Sequence, residues 1–61
     1  MPIIKINILE GKTYEQKQKA VKGITEVCCN EFGVKPEAVR IIFNEMKKTD
    51  FAVGGKLVSD N

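Results

Sequence analysis

The sequence predicts a small α/β (α+β) fold in which a β-α-β unit is followed by a short carboxy-terminal hairpin. Three observations carry this. Two stretches alternate apolar and polar residues at period two, the segment between them repeats apolar residues at helical spacing, and a Gly-Gly pair lies close behind the second alternation.

The first strand is expected over residues 2–9, where Ile4, Ile6 and Ile8 alternate with Lys5 and Asn7 to make one strongly apolar face. The opposite face, Ile3, Lys5, Asn7 and Leu9, is mixed. Apolar residues at its two ends indicate that it too meets another surface, such as a second subunit. Glu10-Gly11-Lys12 interrupts the strand, because glycine permits a turn. Thr13-Tyr14-Glu15-Gln16 then has the form of a capping box, so a helix is expected to begin there. Its buried stripe reads Ala20, Val21, Ile24, Val27 and Cys28, with Phe32 closing the end. Gly33 suits the left-handed position past a helix terminus, and Pro36 follows as a stop. Cys28 falls on the stripe and reads as core; Cys29 falls off it, exposed or at a subunit contact.

A second strand is expected over residues 39–45, with Val39, Ile41 and Phe43 on one face and Arg40, Ile42 and Asn44 on the other. Strand, helix and strand form a crossover, so the two strands are expected to be parallel. One helix covers only one sheet face, which leaves Arg40 on the uncovered face with Lys5 and Asn7. A polar turn at residues 47–50 leads to Phe51 and the Gly54-Gly55 hairpin signal. Residues 56–61 read as a tail that packs against a neighbour or frays. There is no internal repeat or linker, so residues 1–61 are expected to form a single domain.

A chain of 61 residues buries only about 60% of the surface its unfolded form exposes, and needs a staple or a partner. Adjacent Cys28 and Cys29 close no loop, and a sequence without histidine or spaced cysteines offers no tetrahedral metal site. Self-association is the expected stabiliser. With 43% hydrophobic and 30% charged residues the chain reads as globular, and no run approaches a membrane span or a signal-peptide core. A cytoplasmic location is expected, with no membrane partner. A net charge of +2, with sparse aromatics (Tyr14, Phe32, Phe43 and Phe51) that do not interleave with basic residues, argues against nucleic acid.

Pro2 directly follows the initiator methionine. Once Met1 is removed, as its small neighbour favours, Pro2 carries a secondary amine, a base that no side chain of this histidine-free sequence duplicates near neutrality. One residue is a weak motif, and its weight depends on what accompanies it.

What accompanies it is Ile8-Leu9-Glu10-Gly11, Glu15-Gln16-Lys17, Val39-Arg40-Ile41-Ile42, Glu45-Met46, and Phe51 followed by Gly54-Gly55. Together these resemble the small-subunit 4-oxalocrotonate tautomerases over nearly the whole chain. The resemblance implies a β-α-β protomer whose sheet joins that of a second copy, and three such dimers in a homohexamer. It implies a cofactor-independent and metal-independent tautomerase that moves a proton in 1,3- or 1,5-fashion within a 2-hydroxy-dienoate or related 2-oxo acid. The family's proline base corresponds to Pro2, one substrate-binding arginine to Arg40, and the hydrophobic wall to Leu9 and Phe51. A second family arginine is replaced by Lys12, a point charge on a flexible stem rather than a planar fork, so a 2-hydroxymuconate-like dicarboxylate is no longer the sole expectation and a monocarboxylic enol such as an arylpyruvate is an alternative.

That chemistry is coherent. An unperturbed α-amino group titrates at about 7.7–8.0, and an apolar pocket with Arg40 and Lys12 nearby disfavours its ammonium form. Pro2 is then able to accept and return a proton near neutrality, while Arg40 stabilises charge on the substrate oxygen. Against this stand plainer readings: Lys12 as a solvated residue ahead of a helix, Arg40 as an ion-pair partner, Phe51 as hairpin packing, and the whole chain as a non-catalytic oligomeric module of the same fold.

Overall fold

The computed structural model describes residues 1–60. Strand β1 (Ile3–Leu9), helix α1 (Tyr14–Phe32) and strand β2 (Arg40–Met46) form the β-α-β unit, and the two strands are parallel neighbours. The register sets Ile3 opposite Arg40 and Leu9 opposite Met46. One further hydrogen bond extends the pairing at each end: Arg40 N–H donates to the Pro2 carbonyl at 3.0 Å, and Glu10 N–H to the Met46 carbonyl at 2.8 Å. Ile4, Ile6, Ile8, Ile41 and Phe43 are half-buried on the face that α1 covers, whereas Ile3, Lys5, Asn7, Arg40, Ile42 and Asn44 are exposed on the other. Both period-two readings therefore hold, with β2 starting one residue later than expected because Val39 closes a 3-10 turn over Pro36–Ala38. Pro36 thus opens a short turn, and the helix has already ended at Phe32.

The helix starts where its capping box does. Thr13 N–H donates to Gln16 Oε1 at 3.0 Å, and Gln16 N–H donates to Thr13 Oγ1 at 3.1 Å. At the other end Gly33 takes the left-handed conformation (φ 67°) and its N–H donates to the Cys29 carbonyl at 3.1 Å. Removing the cap hydroxyl in Thr13→Ala is expected to lower stability by about 1 kcal/mol, read as a lower urea midpoint at fixed protein concentration with an unchanged slope.

The buried stripe needs correction. Val21, Ile24, Thr25 and Cys28 turn toward the sheet, but Ala20 is exposed, as are Val27 (60%) and Phe32 (67%). The reason is width: the sheet beneath α1 has only two strands, so a stripe that spreads around the helix runs past the sheet's edges. A two-stranded sheet covers the middle of the apolar stripe and leaves its flank in solvent.

After β2, a 3-10 turn at Lys48–Asp50 leads into strands β3 (Ala52–Val53) and β4 (Lys56–Leu57), paired antiparallel around Gly54 and Gly55 (φ 61° and 84°). A 3-10 turn at Val58–Asp60 follows, and Val58 N–H donates to the Phe51 carbonyl at 2.8 Å. Residues 56–60 are therefore folded onto the hairpin and are not a free tail; Asn61 lies outside the described residues.

Cys28, at 6% exposure, is the one buried residue among those described, and no side chain is fully enclosed. The radius of gyration is 14.7 Å, against about 10–11 Å for a compact chain of this length. Ile3 and Ile42 are 62% and 50% exposed on the open sheet face, and Val53 is 65% exposed on the hairpin. This protomer is a flat slab of 43 × 23 × 13 Å with its apolar surface outward, an unfinished core.

Candidate active site

Parallel strands begin at the same end, so the register fixed by the crossover brings Pro2 and Arg40 side by side. Pro2 is half-buried at the start of β1, and its carbonyl is the acceptor for Arg40 N–H. With Met1 attached, the Pro2 nitrogen is an amide. The Met1 side chain lies over the same end, its Sδ against the Arg40 guanidinium. On the open face beside Arg40 stand Lys5 and Asn7, as the alternation requires, and Asn44 Nδ2 donates to Asn7 Oδ1 at 3.1 Å.

Leu9, Lys12 and Phe51 are elsewhere. Leu9 ends β1 opposite Met46, six steps from Ile3, or about 20 Å at 3.3 Å per residue. Lys12 follows Gly11, whose φ of 113° only glycine adopts readily, and is exposed on the rim of an open recess of about 230 Å³ floored by Ile8, Ala20 and Phe43. Phe51, 39% exposed, opens the segment beyond the far end of β2. One protomer therefore unites Pro2 with Arg40 and holds Leu9 and Lys12 at the opposite end of the sheet. The candidate residues are thus divided between the two ends of the protomer.

One interaction was not foreseen. Lys17 Nζ pairs with Glu45 Oε2 at 2.5 Å and lies 5.9 Å from the centre of the Phe43 ring, tying the first turns of α1 to the end of β2. The signal was present: Glu45 shares the period-two face of Ile41 and Phe43, and a carboxylate on a covered face calls for a cation. Among the described residues no group of histidine, cysteine or acidic side chains is arranged to hold a metal ion, and no helix is long and apolar enough to cross a membrane.

The chain is similar to known proteins over nearly its whole length. The family described as Tautomerase enzyme matches residues 2–61. The 2-hydroxymuconate tautomerase of Bacillus subtilis is 38% identical over 60 residues, covering 98% of this chain and 97% of its own. A 4-oxalocrotonate tautomerase isozyme from Methylibium petroleiphilum superposes with a TM-score of 0.91 at 44% identity, over 97% of this chain and 92% of that one. A heterohexameric 4-oxalocrotonate tautomerase from Chloroflexus aurantiacus superposes at 0.90 with 30% identity, over 98% and 97%.

Proposed function

The chain belongs to the tautomerase family and is a tautomerase, and we propose that its processed form interconverts enol and keto tautomers of a 2-hydroxy-dienoate or related 2-oxo acid, with Pro2 as general base. The observation that carries this reading is the register that seats Arg40 beside Pro2, in a chain with no histidine to serve as an alternative base near neutrality. Freed of Met1, the Pro2 nitrogen takes the proton of the substrate's 2-hydroxyl group. The electron pair left behind spreads through the conjugated chain, and the proton is returned to C3 (a 1,3-transfer) or C5 (a 1,5-transfer). Arg40 donates two hydrogen bonds, one to the substrate carboxylate and one to the adjacent oxygen, where negative charge develops. No atom enters or leaves, so the residues named suffice for the proton transfer.

The site is completed by other copies. Leu9, Lys12 and Phe51 lie at the far end of each protomer, and the open sheet face and helix flank leave too much apolar surface exposed for a free-standing chain. A homo-oligomer that sets the far end of one copy against the Pro2 end of another satisfies both requirements. The hexameric state of the Chloroflexus aurantiacus relative supports a trimer of dimers here. In that assembly Leu9 and Phe51 form an apolar wall around the imino nitrogen and Lys12 adds a cation, all three disfavouring the ammonium form.

The test joins an intact mass, to establish that Met1 is absent, with an ultraviolet assay of ketonisation on 2-hydroxymuconate and on phenylenolpyruvate. The processed chain is expected to turn over at least one of them, and a fully processed, assembled chain inert toward both refutes the reading. Lys12→Ala is expected to raise KM about two- to fivefold with kcat within twofold, the scale of one solvated point charge.

A further inference from the structure

We propose that Lys5 is a further substrate-binding residue, the second cation of a dianion site whose first is Arg40. The inference rests on the reading of Arg40 given above. Ile3 is paired with Arg40, and Lys5 stands two residues further along the same face. One strand spacing and two residue steps separate the Lys5 and Arg40 Cα atoms by about 8 Å. Both side chains are long enough to converge on, or to bracket, a short dicarboxylate lying across the strands. Both are exposed, on the face that α1 leaves open and toward the end of the sheet where Pro2 precedes β1.

The remaining residues of that face sharpen the point. They are Ile3, Asn7, Leu9, Ile42, Asn44 and Met46, none of them acidic. The ion pairs among the described residues join Lys17 to Glu45 and Lys19 to Glu15, both away from this face. Asn7 and Asn44 bond to each other. Among the described residues, Lys5 and Arg40 therefore share an otherwise neutral strand face and neither is in an ion pair. When a second copy covers that surface the two cations lose water, and an anion that neutralises them becomes strongly favoured. A substrate carrying two carboxylates supplies both charges: Arg40 takes the carboxylate beside the reacting oxygen, and Lys5 takes the remote one. Lys5 shares a protomer and a face with Arg40, whereas Lys12 reaches the site only from another copy.

The experiment uses the processed, assembled protein. In Lys5→Met, KM for 2-hydroxymuconate is expected to rise about tenfold, the scale of one charge-assisted hydrogen bond, with kcat within twofold and KM for the monocarboxylate phenylenolpyruvate unchanged. Lys5→Arg restores the dicarboxylate KM, which a packing defect does not allow. Adipate, a saturated dicarboxylate probe, is expected to bind the unaltered enzyme and to bind Lys5→Met about tenfold more weakly by calorimetry. Equal KM changes for both substrates, no change for either, or no adipate binding to the unaltered enzyme each overturn the proposal. Arg40→Ala separates the two layers. If it keeps full activity, the reading of the site itself fails; if it is crippled while Lys5→Met is silent, only the role of Lys5 falls.

Discussion

Protein that retains Met1 is expected to show kcat/KM about 10²–10⁴-fold below that of the processed chain, the range that a positioned general base contributes. Two effects act together. The Pro2 nitrogen becomes an amide whose lone pair is delocalised into the carbonyl, so it no longer accepts a proton. The extra residue also lies at the end of the sheet that holds Arg40, on the proposed path of the substrate carboxylate. Trimming Met1 with an aminopeptidase should restore activity in step with the fraction processed by mass. Pro2→Ala separates base from blockage: processed to an amino-terminal alanine it still presents an amine, and it is expected to keep a residual rate above that of the Met1 form. The pH dependence has a definite sign. Only the neutral amine is active, so kcat/KM rises with pH through the Pro2 pKa. If apolar and cationic surroundings disfavour the ammonium form, that rise is centred below the ordinary 7.7–8.0 range of an α-amino group. A rise centred at or above that range, with an unchanged rate in the Met1 form, removes Pro2 from the mechanism.

Local chemistry was legible in the sequence wherever one residue type answers one backbone requirement. Thr13 with Gln16 marked the helix start, Gly33 its end, and Gly54-Gly55 the hairpin, because caps and left-handed positions accept few alternatives. The alternation of Ile4, Ile6 and Ile8 against Ile41 and Phe43 identified the covered face and, through it, the open face that holds Arg40. The extent of coverage was not legible. A stripe that reads as buried from Ala20 to Phe32 is half exposed because the sheet beneath it is two strands wide, a tertiary quantity absent from helical periodicity. The division of the candidate site was hidden for a related reason. Resemblance placed Pro2, Leu9, Lys12, Arg40 and Phe51 in one functional set, but a strand of seven residues holds its ends apart, and only the register shows which residues share an end.

Arg40→Ala is expected to lower kcat/KM about 10²–10³-fold on either substrate, the cost of withdrawing a donor aimed at a developing oxyanion. Arg40→Lys should recover only part of this, since an ammonium group cannot donate in parallel to a carboxylate and its neighbouring oxygen. The same variant tests whether the site is shared. Arg40 lies at the near end of the protomer and Phe51 beyond the far end, so Arg40→Ala and Phe51→Ala damage opposite ends of the chain. Where each site takes its two ends from different copies, unfolding and refolding an equal mixture of the two variants creates sites with both ends intact. Random association makes these about a quarter of all sites, so the mixture regains about a quarter of the unaltered activity although each variant alone is impaired. Where one copy supplies both ends, every site keeps one defect and mixing restores nothing. Recovery in the mixture therefore requires an oligomer whose active site spans the boundary between copies, in keeping with the strand that separates Ile3 from Leu9 by about 20 Å, estimated from the strand rise.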